Sequence, residues 1–231
     1  MRRISDSETT GGHEHEGSSL EDDHRLGRGR ESGSCYWRRA VAGCDSRREH
    51  EGHAALSASD LSKLPLTDRH LTKYEKDNLA VVLRAYHAGE GDVQDAQGFM
   101  DLFAEDGVLN GIGGAEGQTS LRAEQLGGLI VFLGKFLPDV HRELKQITVN
   151  GDVVSIELSI QGTFLGPFET PAGVIQPTGA KVDFPTADFW YLRNGKIEKF
   201  DCHIAFTTLF AQLGILPDYA SAVAASAPGG N

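Results

Sequence analysis

Segments with helical periodicity, followed by a run of segments with two-residue periodicity, predict an α+β domain: three helices packed on a curved, mostly antiparallel sheet. Two hairpin signals support that reading. Asn150-Gly151 and Asn194-Gly195 each separate alternating apolar runs, and Asn and Gly tolerate the positive φ that two-residue turns need. A sheet with one apolar face must curl around its helices to cover that face, which leaves a cone.

The first helix is expected from Thr72, where Thr72 and Glu75 make a capping box and Leu79, Val82, Leu83 and Tyr86 recur at helical spacing. It stops at the glycines of HAGEGD. A short second helix carries Phe99, Leu102 and Phe103, and GVLNGIGG then makes a brief strand that dissolves into a Gly-rich loop. In SLRAEQLGGLIVFLGKFLPD a third helix aligns Leu126, Ile130, Leu133 and Phe136 on one stripe. After Pro138 the period becomes two: HRELKQITV, the Asn150-Gly151 turn and DVVSIELSIQGTF form a long hairpin. A Gly/Pro-rich loop from Thr170 to Gly179 leads into KVDFPTADFWYL, the Asn194-Gly195 turn and a last strand in KIEKFDCHI.

Composition narrows the function. A net charge of -11 over 231 residues argues against a nucleic-acid binder, which needs a basic face to neutralise phosphates. No apolar run approaches the ~20 residues of a membrane span. Three cysteines, Cys35, Cys44 and Cys202, are too few and too irregularly spaced for a disulfide framework or a zinc site, so a reducing cytoplasm is expected. The first 60 residues hold 12 acidic residues, 9 Arg, no Lys and few large apolar side chains. Such a segment cannot bury enough surface to offset its ordering entropy. Residues 1–66 are therefore expected to be a disordered or non-native extension, 67–220 the folded domain and 221–231 a flexible tail. HEHE at His13 to Glu16 is a weak metal motif, since nothing downstream in that segment completes a ligand set.

On the last strand Asp201 and His203 are two residues apart and share one face, opposite the apolar Phe200, Cys202, Ile204 and Phe206. A carboxylate inside an apolar cone has its pKa raised by desolvation, and an adjacent imidazole can orient it. Asp201 and His203 are accordingly the catalytic candidates; the bland alternative is a solvent-facing pair at a strand end. Asp188 and Trp190 share a face of the preceding strand and are candidates to line the cavity, with a single packed, hydrogen-bonded Asp as the alternative. Tyr86 is either core or a donor to a substrate oxygen. Asn110 either orients a carbonyl or forms a turn, and His141 lies at the cavity mouth or on the rim. Cys202 faces away from Asp201, which speaks against a catalytic thiol.

Four phrases in order, FLPDVHREL, NGDVVSIELSIQGTFLGPF, PTGAKV and NGKIEKF with FAQLGI, resemble the SnoaL-like polyketide cyclases. These belong to the nuclear transport factor 2-like superfamily, a cone-shaped, cystatin-like α+β fold, and the resemblance spans roughly Tyr74 to Pro217. It implies a homodimer paired through the sheet, a hydrophobic small-molecule ligand, and acid/base chemistry without metal or organic cofactor. It also exposes a departure. The cyclases place an Asp seven residues before the glutamine of QLG; counting back from Gln212, that position is Ala205. The fold hosts many chemistries. Two functions therefore stand: cofactor-free cyclisation or isomerisation of a hydrophobic, polyketide-like molecule, or a binding or accessory module without turnover.

Overall fold

The structure is a computed structural model that describes residues 58–68, 70–114, 117–170 and 173–215. The expected disorder of residues 1–57, the HEHE motif and the expected tail at 221–231 lie outside the described residues. Helices α1 (Ala58–Leu61), α2 (Lys73–Ala88) and α3 (Ala96–Met100) come first. Strands β1 (Phe103–Gly114) and β2 (Gly117–Arg122) precede helix α4 (Glu124–Phe136). Then follow β3 (His141–Asn150), β4 (Val153–Thr163), β5 (Phe168–Thr170), β6 (Gly173–Ile175), β7 (Lys181–Arg193), β8 (Lys196–Ile204) and α5 (Phe206–Gln212). Six strands form one sheet in the order β2-β1-β8-β7-β4-β3, antiparallel throughout except for the β1–β8 pair; β5 and β6 make a separate hairpin. The α+β cone expected from the sequence is the observed architecture.

Local chemistry accounts for the main elements. At the start of α2 the Glu75 amide donates to Thr72 Oγ1 (3.2 Å) and the Thr72 amide donates to Glu75 Oε2 (2.9 Å), closing the capping box. Leu79, Val82, Leu83 and Tyr86 bury the predicted stripe. On β7 the alternation is unbroken: Val182, Phe184, Thr186, Asp188, Trp190 and Leu192 are all buried. Asn194 and Gly195 both take positive φ, 52° and 74°, as the expected turn requires.

Four expectations change. The domain begins before residue 67, because Leu61, Leu64 and Leu66 are buried in the core. Pro65 O accepts from the Ile147 amide and Ile147 O from the Thr67 amide, both at 2.9 Å, so this segment covers the open edge of β3. Phe103 opens β1 rather than ending a helix, and that strand is 12 residues long because it pairs in parallel with β8. Residues expected to begin the third helix form β2, and short helices α1 and α5 add to the three predicted. Finally, the outer sheet face is mixed rather than apolar, carrying Ser155, Glu157 and Gln161 on β4, Asp183 beside Phe189 and Tyr191 on β7, and Asp201 and His203 on β8. Phe189 and Tyr191 on β7 add apolar surface to that face, while the larger Val, Ile and Phe set of the sheet points inward.

The loop after α2 is set tightly against the start of β3. A methyl group on Gly91 would lie 2.4 Å from Pro138 O and 2.7 Å from the Val140 amide nitrogen. Backbone cannot retreat as a flexible side chain can. Gly91→Ala should destabilise the domain by ~1–3 kcal/mol, the usual cost of overpacking, read as a lower urea midpoint at unchanged slope.

Candidate active site

Between α2, α4 and the concave sheet face lies a cavity of about 280 Å³. Its walls are mainly aromatic and aliphatic, with Phe132 and Phe136 from α4, Phe168 from β5, Phe184 and Trp190 from β7 and Phe200 from β8. Polar groups are few: Tyr86, Gly- and Thr119-bearing edges of β1 and β2, Arg142, Asp188 and Cys202. Such a site suits an apolar molecule with few polar atoms.

The alternation of β7 aims Asp188 and Trp190 into this space, and the β7–β8 register sets Cys202 directly opposite Asp188 and Phe200 opposite Trp190. Tyr86 reaches them from α2. Its hydroxyl donates to Asp188 Oδ2 at 2.8 Å and accepts from Trp190 Nε1 at 3.1 Å. The Trp190 ring stacks on Phe200 at 3.5 Å between centroids and meets the Tyr86 ring edge-on at 5.3 Å. These contacts hold the carboxyl group in one orientation.

Asp188 is only 2% exposed. Burial pushes its carboxyl up from the ordinary 3.8 to about 6, with the Tyr86 hydroxyl, the Cys202 thiol and the Arg142 charge pulling partly back. Its Oδ1 has no hydrogen-bond partner among the described residues, and the Cys202 thiol interacts with the carboxyl as a whole. Burial, followed by the charge of Asp188, pushes both the Tyr86 hydroxyl and the Cys202 thiol well above their usual ranges. Cys202 is therefore a neutral wall atom at neutral pH, not a nucleophile.

Arg142, from β3, brings the permanent positive charge of the cavity wall. Its Nη1 donates to Gly89 O, at the C-terminal end of α2, at 2.8 Å and approaches Glu90 Oε1 at 3.4 Å. Glu90 is 1% exposed. Its Oε1 accepts from the Arg142 amide at 3.1 Å, and its Oε2 lies 2.7 Å from His141 Nδ1. Gly89 is a glycine for a visible reason: an added Cβ would lie 3.1 Å from Arg142 Nη2.

Residues 82–200, just over half of the 231, match the profile of the SnoaL-like domain. The chain belongs to the SnoaL-like domain family. Solved structures agree on the fold. A candidate SnoaL-like polyketide cyclase from Jannaschia sp. CCS1 aligns with a TM-score of 0.55 at 17% identity, over 64% of this chain and 98% of that one. AclR, a candidate hydroxylase from Streptomyces galilaeus, aligns at 0.53 and 22% identity, over 66% and 95%. A candidate polyketide cyclase from Bacillus cereus aligns at 0.51 and 22%, over 66% and 91%. At these identities the likeness is one of fold. No curated protein sequence matches the chain. No helix among the described residues is long and apolar enough to cross a membrane.

The SnoaL-like cone rearranges the predicted site. Asp201 and His203, the expected catalytic pair, do share a face, but it is the outer one; Phe200, Cys202 and Ile204 face the cavity instead. The reason is solvation. One face of this sheet is covered and apolar, the other meets water, and the polar members of β8 go to water. There Asp201 accepts from Lys199 Nζ and Asn110 Nδ2, both at 2.7 Å. Partial burial pushes its carboxyl up, but these two donors outweigh it and hold the group below the usual range. His203 is exposed and meets the Phe189 ring edge-on. Asn110 serves this outer cluster, also accepting from Ser120, and does not line the cavity. His141 is buried on Glu90, behind the wall rather than at the mouth. Tyr86, Asp188 and Trp190 line the cavity together.

Arg142 and Glu90 escaped the sequence reading. HREL reads as the start of an exposed hairpin strand, and Glu90 sits among glycines where charged residues are usually solvated. The one available signal was the His-Arg pair set directly after a Pro-turn.

A stability test follows from Asp188. Its folded pKa is above its unfolded value, so the folded state holds the extra proton between 3.8 and about 6. The associated stability is full below the lower value and lost as pH rises through the upper. Asp188→Asn cannot ionise. Its stability relative to wild type should climb between those limits, by up to about 3 kcal/mol, measured as the difference between urea unfolding curves at each pH.

Proposed function

We propose that this SnoaL-like domain is a cofactor-free acid/base enzyme acting on a hydrophobic carbonyl compound, by isomerisation or ring closure. One observation carries the reading: a buried carboxylate with a free oxygen, Asp188 Oδ1, held at the wall of an otherwise apolar cavity. Its carboxyl at about 6 leaves it mostly ionised near neutrality yet basic enough to take a proton. Oδ1 takes the proton next to the substrate carbonyl, and the electron pair passes into an enolate. In an isomerisation the same proton returns at another carbon. In a ring closure the enolate carbon bonds to a second carbonyl carbon, and the resulting alkoxide takes the proton from Asp188. Both steps balance without a further reactant. Tyr86, through its bond to Oδ2, and Trp190 behind it orient the carboxylate.

A second reading keeps a specific observation on its side: the position where the cyclases carry their acid is Ala205, which here precedes α5 without a side-chain cap. On that reading the cone binds and does not turn over. Exchange of the α-hydrogens of 2-tetralone for deuterium in D₂O, followed by NMR, separates the two. Acceleration that disappears in Asp188→Asn and persists in Asp201→Asn supports the enzyme. Wild-type protein no faster than Asp188→Asn leaves the binding module.

A further inference from the structure

The polar inventory of the cavity also specifies its ligand. Arg142 is 8% exposed, and both of its side-chain hydrogen bonds come from Nη1. No hydrogen bond to the described residues runs from Nε or Nη2, and neither nitrogen is sealed off from solvent-sized space. These two nitrogens form one edge of the guanidinium, spaced for two oxygens of a single planar acid group. An arginine in a mainly apolar cavity wall, bonded to the protein through Nη1 alone, leaves donors for a polar group of whatever fills the cavity. Glu90 and Gly89 O stabilise its charge from behind, and His141 holds Glu90 in turn. The arrangement is built from three buried residues, with side-chain exposures of 10% for Arg142, 8% for His141 and 1% for Glu90.

We propose that the ligand of this cavity is an apolar molecule bearing a carboxylate, and that Arg142 binds this group through its Nε–Nη2 edge. Glu90 and His141 are positioning residues for the guanidinium. The inference rests on the cavity being the ligand site proposed above but not on any turnover there. The anchor has a chemical consequence for Asp188. A ligand carboxylate held near Arg142 offsets the positive charge that partly lowers the Asp188 carboxyl, and so makes its carboxylate a stronger base. Of the apolar carbonyl compounds that fit a cone of this kind, those with an acid group are thereby selected.

The test compares naphthalene-2-acetate with naphthalene-2-acetamide, equal in shape but different in charge, by isothermal titration calorimetry on the full chain. Wild type should bind the acid roughly 10- to 100-fold more tightly than the amide, the range for a hydrogen bond to a charged group. Arg142→Gln should lose that preference while retaining the amide affinity. Should Arg142→Gln unfold because Glu90 is left uncompensated, Glu90→Gln/Arg142→Gln removes both charges and must show the same loss of preference. Asp188→Asn should keep the preference even where exchange on 2-tetralone is abolished, so failure of the catalytic reading is seen separately. Equal binding of acid and amide, binding of neither, or a preference that survives in both Arg142 variants would overturn the assignment.

Discussion

Replacing Asp188 with Asn should slow proton exchange on an enolisable ketone by ~10²–10⁴, the usual contribution of a positioned general base. The substitution keeps the shape of the side chain and its acceptance of the Tyr86 hydrogen bond, but removes the atom that takes the proton. Binding should change little, because affinity comes from the apolar walls. The pH profile adds a second readout. The working form is the ionised carboxylate, so the wild-type rate should rise with pH through about 6 and then level off. In Asp188→Asn that limb should be gone. Asp201→Asn is the contrast, since Asp201 lies outside the cavity among Lys199 and Asn110 and should leave rate and profile unchanged. A rate lost on Asp201→Asn and kept on Asp188→Asn would reverse the assignment.

Glu90→Ala should destabilise the domain by ~3–5 kcal/mol, the cost of leaving a buried charge without its partner. Glu90 is the carboxylate beside both His141 and Arg142, and all three residues are buried. Natural domains have only ~5–15 kcal/mol to lose, so the variant should melt far below wild type. The double variant Glu90→Ala/Arg142→Met should lose less than the sum of the single losses, because the orphaned charge is removed with its partner. Urea unfolding of the four proteins measures this coupling. Additive losses would mean the two residues stabilise the fold independently.

Some of this was legible in local chemistry. Thr72 and Glu75 announce α2 because a capping box is a four-residue device, complete in the chain itself. Asn194-Gly195 announces the β7–β8 turn for the same reason, and the six buried residues of β7 follow from alternation alone. Helix and strand periodicities each assign a face, and that is enough to bring Tyr86, Asp188 and Trp190 to the cavity.

Period two divides a strand into two sets of side chains, and only packing chooses which set is covered. Reading Asp201 and His203 as the inward set of β8 reversed that choice; the helices cover the Phe200 and Cys202 side instead. Long-range pairing was equally out of reach. The parallel register of β1 on β8 joins Asn110 to Asp201, and the ion pair of Glu90 with Arg142 spans 52 positions. Neither leaves a trace in any window of neighbouring residues. Helix starts, turns and strand alternation are short-range energies, settled within a few residues of backbone. The burial of a charge is decided by what the rest of the chain folds around it, and this is where Asp188 and Arg142 acquired their chemistry.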